Sequence, residues 1–172
     1  CINRGLELLN LNDDDRIIIS DVDEIWDCDT VKNLEVGDEL LCLAMDIYYY
    51  NFNCKFVEKE LATKILKYSK YITNPHPHHI RSRYDYCTIV PNGGWHLSYF
   101  GNVDFIKNKI KNFAHQEINT PEVLNSIQSH IDNSTDFIPP DPNVWKNGIR
   151  HGGVEVKNNP PSYLPKHYKE LL

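Results

Sequence analysis

Residues 16 to 27 read RIIISDVDEIWD. Ile17, Ile18 and Ile19 are an unbroken β-branched run, the pattern of a strand buried on both faces. Three carboxylates follow within five residues: Asp21, Asp23 and Glu24. This stretch constrains the fold tightly. It reads as a buried strand, and acidic groups at the carboxyl end of such a strand sit where open α/β sheets bind their ligands.

The rest of the chain supplies neighbours of both kinds. Residues 37–53, GDELLCLAMDIYYYNFN, are a long apolar and aromatic run whose tyrosines favour strand. Residues 86–90, YCTIV, read as a further strand, and PNGG at 91–94 as a turn. Residues 55–72 carry apolar spacing that fits a helix as well as a strand. Val103, Ile106, Ile110 and Phe113 recur at helical spacing. Thr120 caps a second helix over 121–131, with Pro121 at its first position. Short helices are expected near 2–11 and 29–35, the latter with Asp29 as N-cap. Residues 73–84 read as a loop marked by Pro75 and Pro77. From Asp136 the chain is rich in Pro, Asn and Gly and reads as irregular, with a last helical turn or two over 165–172. The pattern is mixed α/β. At 172 residues it fits one domain, residues 1–172, with a core of ordinary size.

Charge and composition exclude several classes. A formal net charge of −6 argues against nucleic-acid binding, which needs a basic surface. No apolar stretch approaches the roughly 20 residues that span a bilayer, so no membrane contact is expected of this chain. The five cysteines include no C-x-x-C pair, which favours reduced thiols in a soluble protein of a reducing, cytoplasmic compartment.

Two chemistries place Asp-x-Asp after a strand. In the haloacid-dehalogenase phosphatases the first Asp attacks a phosphate and the second handles the proton, with magnesium. Asp132 and Asp136 stand at the spacing of a later metal motif of that superfamily, but polar, helical residues precede them, and position 25 is Ile. In the other chemistry both carboxylates hold a divalent ion that carries a sugar nucleotide's diphosphate. The alternative to both is a solvated acidic turn. Carboxylates facing a diphosphate at ~4 Å repel by about 4 kcal/mol per charge pair at an effective dielectric of ~20, so a phosphorylated ligand here calls for a cation. Oxygen ligands suit a hard ion such as magnesium or manganese.

A second constellation, PNGGWHLSYFG at 91–101, precedes KNFAHQEIN at 111–119. Gly93 and Gly94 allow a close backbone approach. Trp95 offers a flat face for a sugar ring, and His96 and Ser98 can hydrogen-bond hydroxyls. Each alone is more often a core residue than a ligand contact. Together, downstream of Asp-x-Asp, they favour a sugar site.

IIISDVDEI, YYYNFN, PNGGWHLSYFG and FAHQEIN, in this order, resemble glycosyltransferase family 17, as does the ending YLPKHYKELL. Trp26 stands where the family usually has Pro. The resemblance implies a compact or truncated GT-A (Rossmann-like) fold with a central mixed sheet flanked by helices. It implies a UDP-sugar donor, UDP-GlcNAc in the family's bisecting enzyme, a glycan acceptor, manganese or magnesium, and inversion at the anomeric carbon. It gives Asp21 and Asp23 the metal and sugar-nucleotide role, with Glu24 orienting them. It places Gly93, Gly94, Trp95, His96 and His115 about the donor sugar and acceptor, Glu117 as general base, and His151 as a late metal ligand. It also suggests that residues 61–68 are extended, and a Golgi lumen if a membrane anchor lies on a missing segment. The same fold without catalysis, as an inactive nucleotide-sugar-binding domain, is the alternative.

Overall fold

The computed structural model describes residues 2–84, 86–138, 154–156 and 163–171. They form two compact units, residues 1–45 with 60–95 and residues 46–59 with 96–172.

In the first unit, β1 (Arg16–Ile19) pairs antiparallel with β5 (Lys64–Lys67), setting Ile17 opposite Leu66 and Ile18 opposite Ile65. β5 pairs antiparallel with the start of β3 (Leu41–Tyr50), with Leu41 opposite Ile65. The opening of β6 (Thr88–Phe100) runs beside β3 in the same direction. The Thr88 N–H donates to the Leu40 carbonyl at 2.9 Å, and further along Gly93 backs onto Leu43. β2 (Glu24–Trp26) lies on the other side of β6, where the Asp27 N–H donates to the Gly93 carbonyl at 2.9 Å. The sheet is therefore mixed, with helices, and the chain is of the α/β class.

The period-two alternation of β1 sorts its isoleucines between two cores. Ile17 and Ile19 pack with Leu66, Tyr71 and Ile80, while Ile18 packs against the cluster of Val31, Leu41, Leu43, Met45 and Ile65. Helices α1 (Ile2–Leu6), α2 (Cys28–Asn33), α3 (Tyr68–Tyr71) and α4 (Pro77–Arg81) complete this unit. Its buried thiol, Cys42, is pushed up to about 11 by burial, which outweighs the opposing field of the equally buried Lys64. The four cysteines among the described residues, Cys28, Cys42, Cys54 and Cys87, are free thiols.

In the second unit, the end of β3 lies beside β4 (Cys54–Glu60), and β4 pairs antiparallel with β7 (Val154–Val156). Asp46 is buried in β3 and takes ion pairs from Lys55, at 2.8 Å, and from Lys59. Helices α5 (Val103–Asn112) and α6 (Pro121–Asn133) bury Ile106, Ile110, Val123 and Ile127 against Tyr49, Phe56, Tyr99 and Phe137. A short 3-10 turn, Gln116–Ile118, joins them, with Ile118 in the same core. The Thr120 hydroxyl accepts from the Val123 N–H at 3.3 Å and Pro121 opens α6, as expected. No helix among the described residues is long and apolar enough to cross a membrane.

Three expectations about helices need correction. The cap of α2 is Asp27, whose carboxylate accepts from the Thr30 N–H at 2.8 Å, so the helix starts before Asp29. Residues 73–84 are not all loop: Pro77, with its φ set for a first helical position, opens α4. Phe113 follows α5 as its C-cap and is exposed, so the buried stripe ends at Ile110. The ambiguous stretch 55–72 resolves into β4, β5 and α3, with Lys64–Lys67 extended.

PNGG, expected to turn the chain, lies inside β6 instead. Asn92 (φ 51°) and Gly94 (φ 138°) take left-handed backbone there and reshape the strand without reversing it. A Cβ on Gly93 would stand 2.5 Å from Leu43 Cβ, and one on Gly94 would overlap the Ile25 carbonyl oxygen. The two glycines thus let β6 nest between β3 and β2. Gly94→Ala is expected to cost about 2 kcal/mol or more, from its positive φ and this overlap. Gly37→Ala, with nothing within 4 Å of the added methyl, serves as control. Urea unfolding checks both; a Gly94→Ala chain as stable as the parent would refute the nesting.

Candidate functional site

The carboxylate turn follows β1 directly. β1 ends at Ile19, and Asp21 to Glu24 close a tight turn in which the Glu24 N–H donates to the Asp21 carbonyl at 3.2 Å. The Glu24 carboxylate bonds back: its Oε2 accepts from the Asp21 N–H at 3.1 Å. The same oxygen accepts from the Thr63 hydroxyl at 2.5 Å. Its Oε1 accepts from Arg81 Nη2 at 2.7 Å. The Glu24 side chain is only 1% exposed, and an ion so placed is stable only if paired and hydrogen-bonded. Glu24 is therefore the anchor of the turn.

Arg81 closes the arrangement. Its Nη2 holds Glu24 and its Nη1 pairs with Asp21 Oδ1. Burial works against its charge, but the hydrogen bond to Asp21 and the fields of Glu24, Asp21 and Glu60 prevail, so its pKa lies above the ordinary value. Asp21 itself is 63% exposed, and Asp23 is half-buried. The three acidic groups thus differ in standing: Glu24 is buried, Asp23 half-buried and Asp21 exposed.

The donor set suits a hard divalent ion only with help from a ligand. Among the described residues no group of three or more His, Cys, Asp or Glu is placed to hold a metal. Asp21 and Asp23 offer two carboxylates, and magnesium-type sites with one or two carboxylates complete their shell with substrate phosphates and water. The residues present fit a metal that arrives with a diphosphate. His151 lies outside the described residues.

Other expected residues stand as follows. Gly93 and Gly94 serve strand packing, as above. Trp95 is 4% exposed, so the open sugar platform expected of it is not what the structure displays; its ring is core in the first unit. His96 and Ser98 continue β6 in the second unit, half-buried and buried respectively. His115 and Glu117 flank Gln116 at the 3-10 turn of the second unit. His115 Nδ1 lies 2.6 Å from Glu117 Oε1, and the side chains are 58% and 59% exposed. The buried Ile118 next in sequence fixes this exposed pair to the core.

Arg81 and Thr63 escaped sequence reasoning. Thr63 lies in a segment readable as helix or strand, and Arg81 in one read as loop. The available signal was electrostatic: three carboxylates within four residues favour a cation nearby. Nothing in HIRSR singles out Arg81 over Arg83.

The model of the family described as Glycosyltransferase family 17 matches residues 1–169, nearly the whole chain. No curated protein and no solved structure matches it.

Trp95→Ala is expected to lower stability by about 3–5 kcal/mol, as for other buried tryptophans. Chemical unfolding followed by circular dichroism measures this. A loss under about 1 kcal/mol, far below that range, would return Trp95 to the role of a ligand-facing ring.

Proposed function

Because the chain belongs to glycosyltransferase family 17, and so is a glycosyltransferase, we propose that it transfers GlcNAc from UDP-GlcNAc to a glycan acceptor on a GT-A-type scaffold. Transfer proceeds with inversion and depends on manganese or magnesium. The observation that carries this reading is the family match over residues 1–169. The preformed turn of Asp21 and Asp23 supports it, since their two carboxylates suit an ion shared with a diphosphate.

In this reading Asp21 and Asp23 would hold the ion, which when bound would neutralise charge on the departing UDP. Glu24, Thr63 and Arg81 hold the turn that presents them. The acceptor hydroxyl attacks the anomeric carbon from the face opposite UDP. The bond to the UDP oxygen breaks as the new glycosidic bond forms, and the hydroxyl proton passes to Glu117. His115, 2.6 Å from the Glu117 carboxylate, orients it as a hydrogen-bond donor from Nδ1. Glu117 also stands near the start of α6, where a surface carboxylate gains a few tenths of a kcal/mol from the dipole, so its exposure alone does not make it a base.

A panel of nucleotide sugars with manganese, read by UDP release, tests the reaction. UDP-GlcNAc is expected to give the highest rate, and Asp23→Ala to abolish most of the manganese dependence. Glu117→Gln keeps size and most hydrogen bonding but removes basicity, so turnover should fall by about 10²–10⁴-fold with UDP affinity nearly unchanged. Binding of UDP-sugars with no release from any of them would contradict the proposed transfer. A Glu117→Gln rate within about threefold of the parent, far short of that factor, would remove Glu117 as base.

A further inference from the structure

Arg81 bridges two carboxylates of very different standing. Its Nη2 pairs at 2.7 Å with Glu24, which is 1% exposed, while its Nη1 pairs with Asp21, which is 63% exposed. The Glu24 arm is buried and costly to break. The Asp21 arm faces water, where an ion pair contributes little. Glu24 also accepts from the Thr63 hydroxyl and the Asp21 N–H. The guanidinium is thus anchored on one side and readily exchanged on the other.

A metal bound as in the reading proposed above, on which this inference rests, meets that guanidinium first. The single charge of the guanidinium is shared between Glu24 and Asp21, and a doubly charged cation at Asp21 meets both its competition and its repulsion. A diphosphate removes the obstacle, because its oxygens are bidentate partners for a guanidinium and better ones than an exposed carboxylate. We infer that Arg81 is a built-in counter-ion on Asp21 that a nucleoside diphosphate draws away, so that divalent metal and nucleotide bind this turn cooperatively. Arg81 is then both a positioning residue for the carboxylates and a contact for the donor's diphosphate. Metal alone is held weakly. The nucleotide frees Asp21 and supplies the remaining oxygen ligands in the same event.

The test uses manganese alone and manganese with UDP, followed by loss of the free-ion electron paramagnetic resonance signal, so no turnover is needed. In the parent chain, saturating UDP should tighten manganese binding by about tenfold or more, within the usual range of coupling between sites. The paired variant Glu24→Gln with Arg81→Gln removes one charge of each sign. The amide carbonyl that Glu24→Gln introduces still accepts from Thr63 and from the Asp21 N–H. The paired variant should bind manganese without UDP about tenfold more tightly than the parent, and the effect of UDP should shrink to about threefold or less. Arg81→Lys, which keeps the buried charge but cannot bridge both carboxylates, should shift both quantities the same way and covers the case in which the paired variant does not fold. If the parent shows the UDP effect and the variants match it in both conditions, the inference about Arg81 is overturned and the metal reading stands. If the parent binds no manganese even with UDP, the metal reading falls and this inference with it.

Discussion

A single buried carboxylate organises the first unit of this chain. Removing an ion from water costs several kcal/mol, and Glu24 recovers that through Arg81, Thr63 and the Asp21 N–H together. Those partners come from three places in the sequence, 39 and 57 residues away in two cases. The approach to β5, the end of α4 and the turn after β1 must therefore meet at one point. The turn that carries Asp21 and Asp23 takes its shape from this meeting. Glu24 holds the Asp21 N–H directly and the Asp21 carboxylate through Arg81, so the turn is fixed at Asp21.

Close packing governs the strands as well. All ten residues of β3 are buried, so it requires close neighbours along its length. In the first unit, β6 meets that demand by giving up a side chain at Gly93, and fits beside β2 by giving one up at Gly94. Trp95 then turns inward. The glycine-rich stretch that looked like ligand chemistry is first of all a packing device, and any contact it makes with a sugar is made from inside a strand.

Much of this was legible in the sequence for definite reasons. Ile17 to Ile19 read as a strand from their β-branched run, and they form one at the sheet edge, with Ile17 and Ile19 buried and Ile18 half-buried. Thr120 and Pro121 marked a helix start with two independent signals, and the order of four motifs identified the family. The failures share a cause. Asn92 and Gly94 carry turn chemistry, but tertiary packing uses their left-handed backbone to reshape a strand instead. α4 is only five residues long and nearly surrounded by turn-forming residues. Arg81 matters because of a carboxylate 57 residues away, and local pattern cannot express such a dependence. His151 and its neighbours lie outside the described residues, so the late metal ligand remains an expectation.

That the Glu24–Arg81 pair shapes the carboxylate turn is tested most directly by a double-mutant cycle. Urea unfolding of the parent, Glu24→Gln, Arg81→Gln and the paired variant yields the coupling energy between the two side chains. A buried, hydrogen-bonded pair predicts a coupling of about 2 kcal/mol, with the paired variant more stable than Arg81→Gln alone. A coupling below about 0.5 kcal/mol, with the two single losses simply adding, would contradict the account.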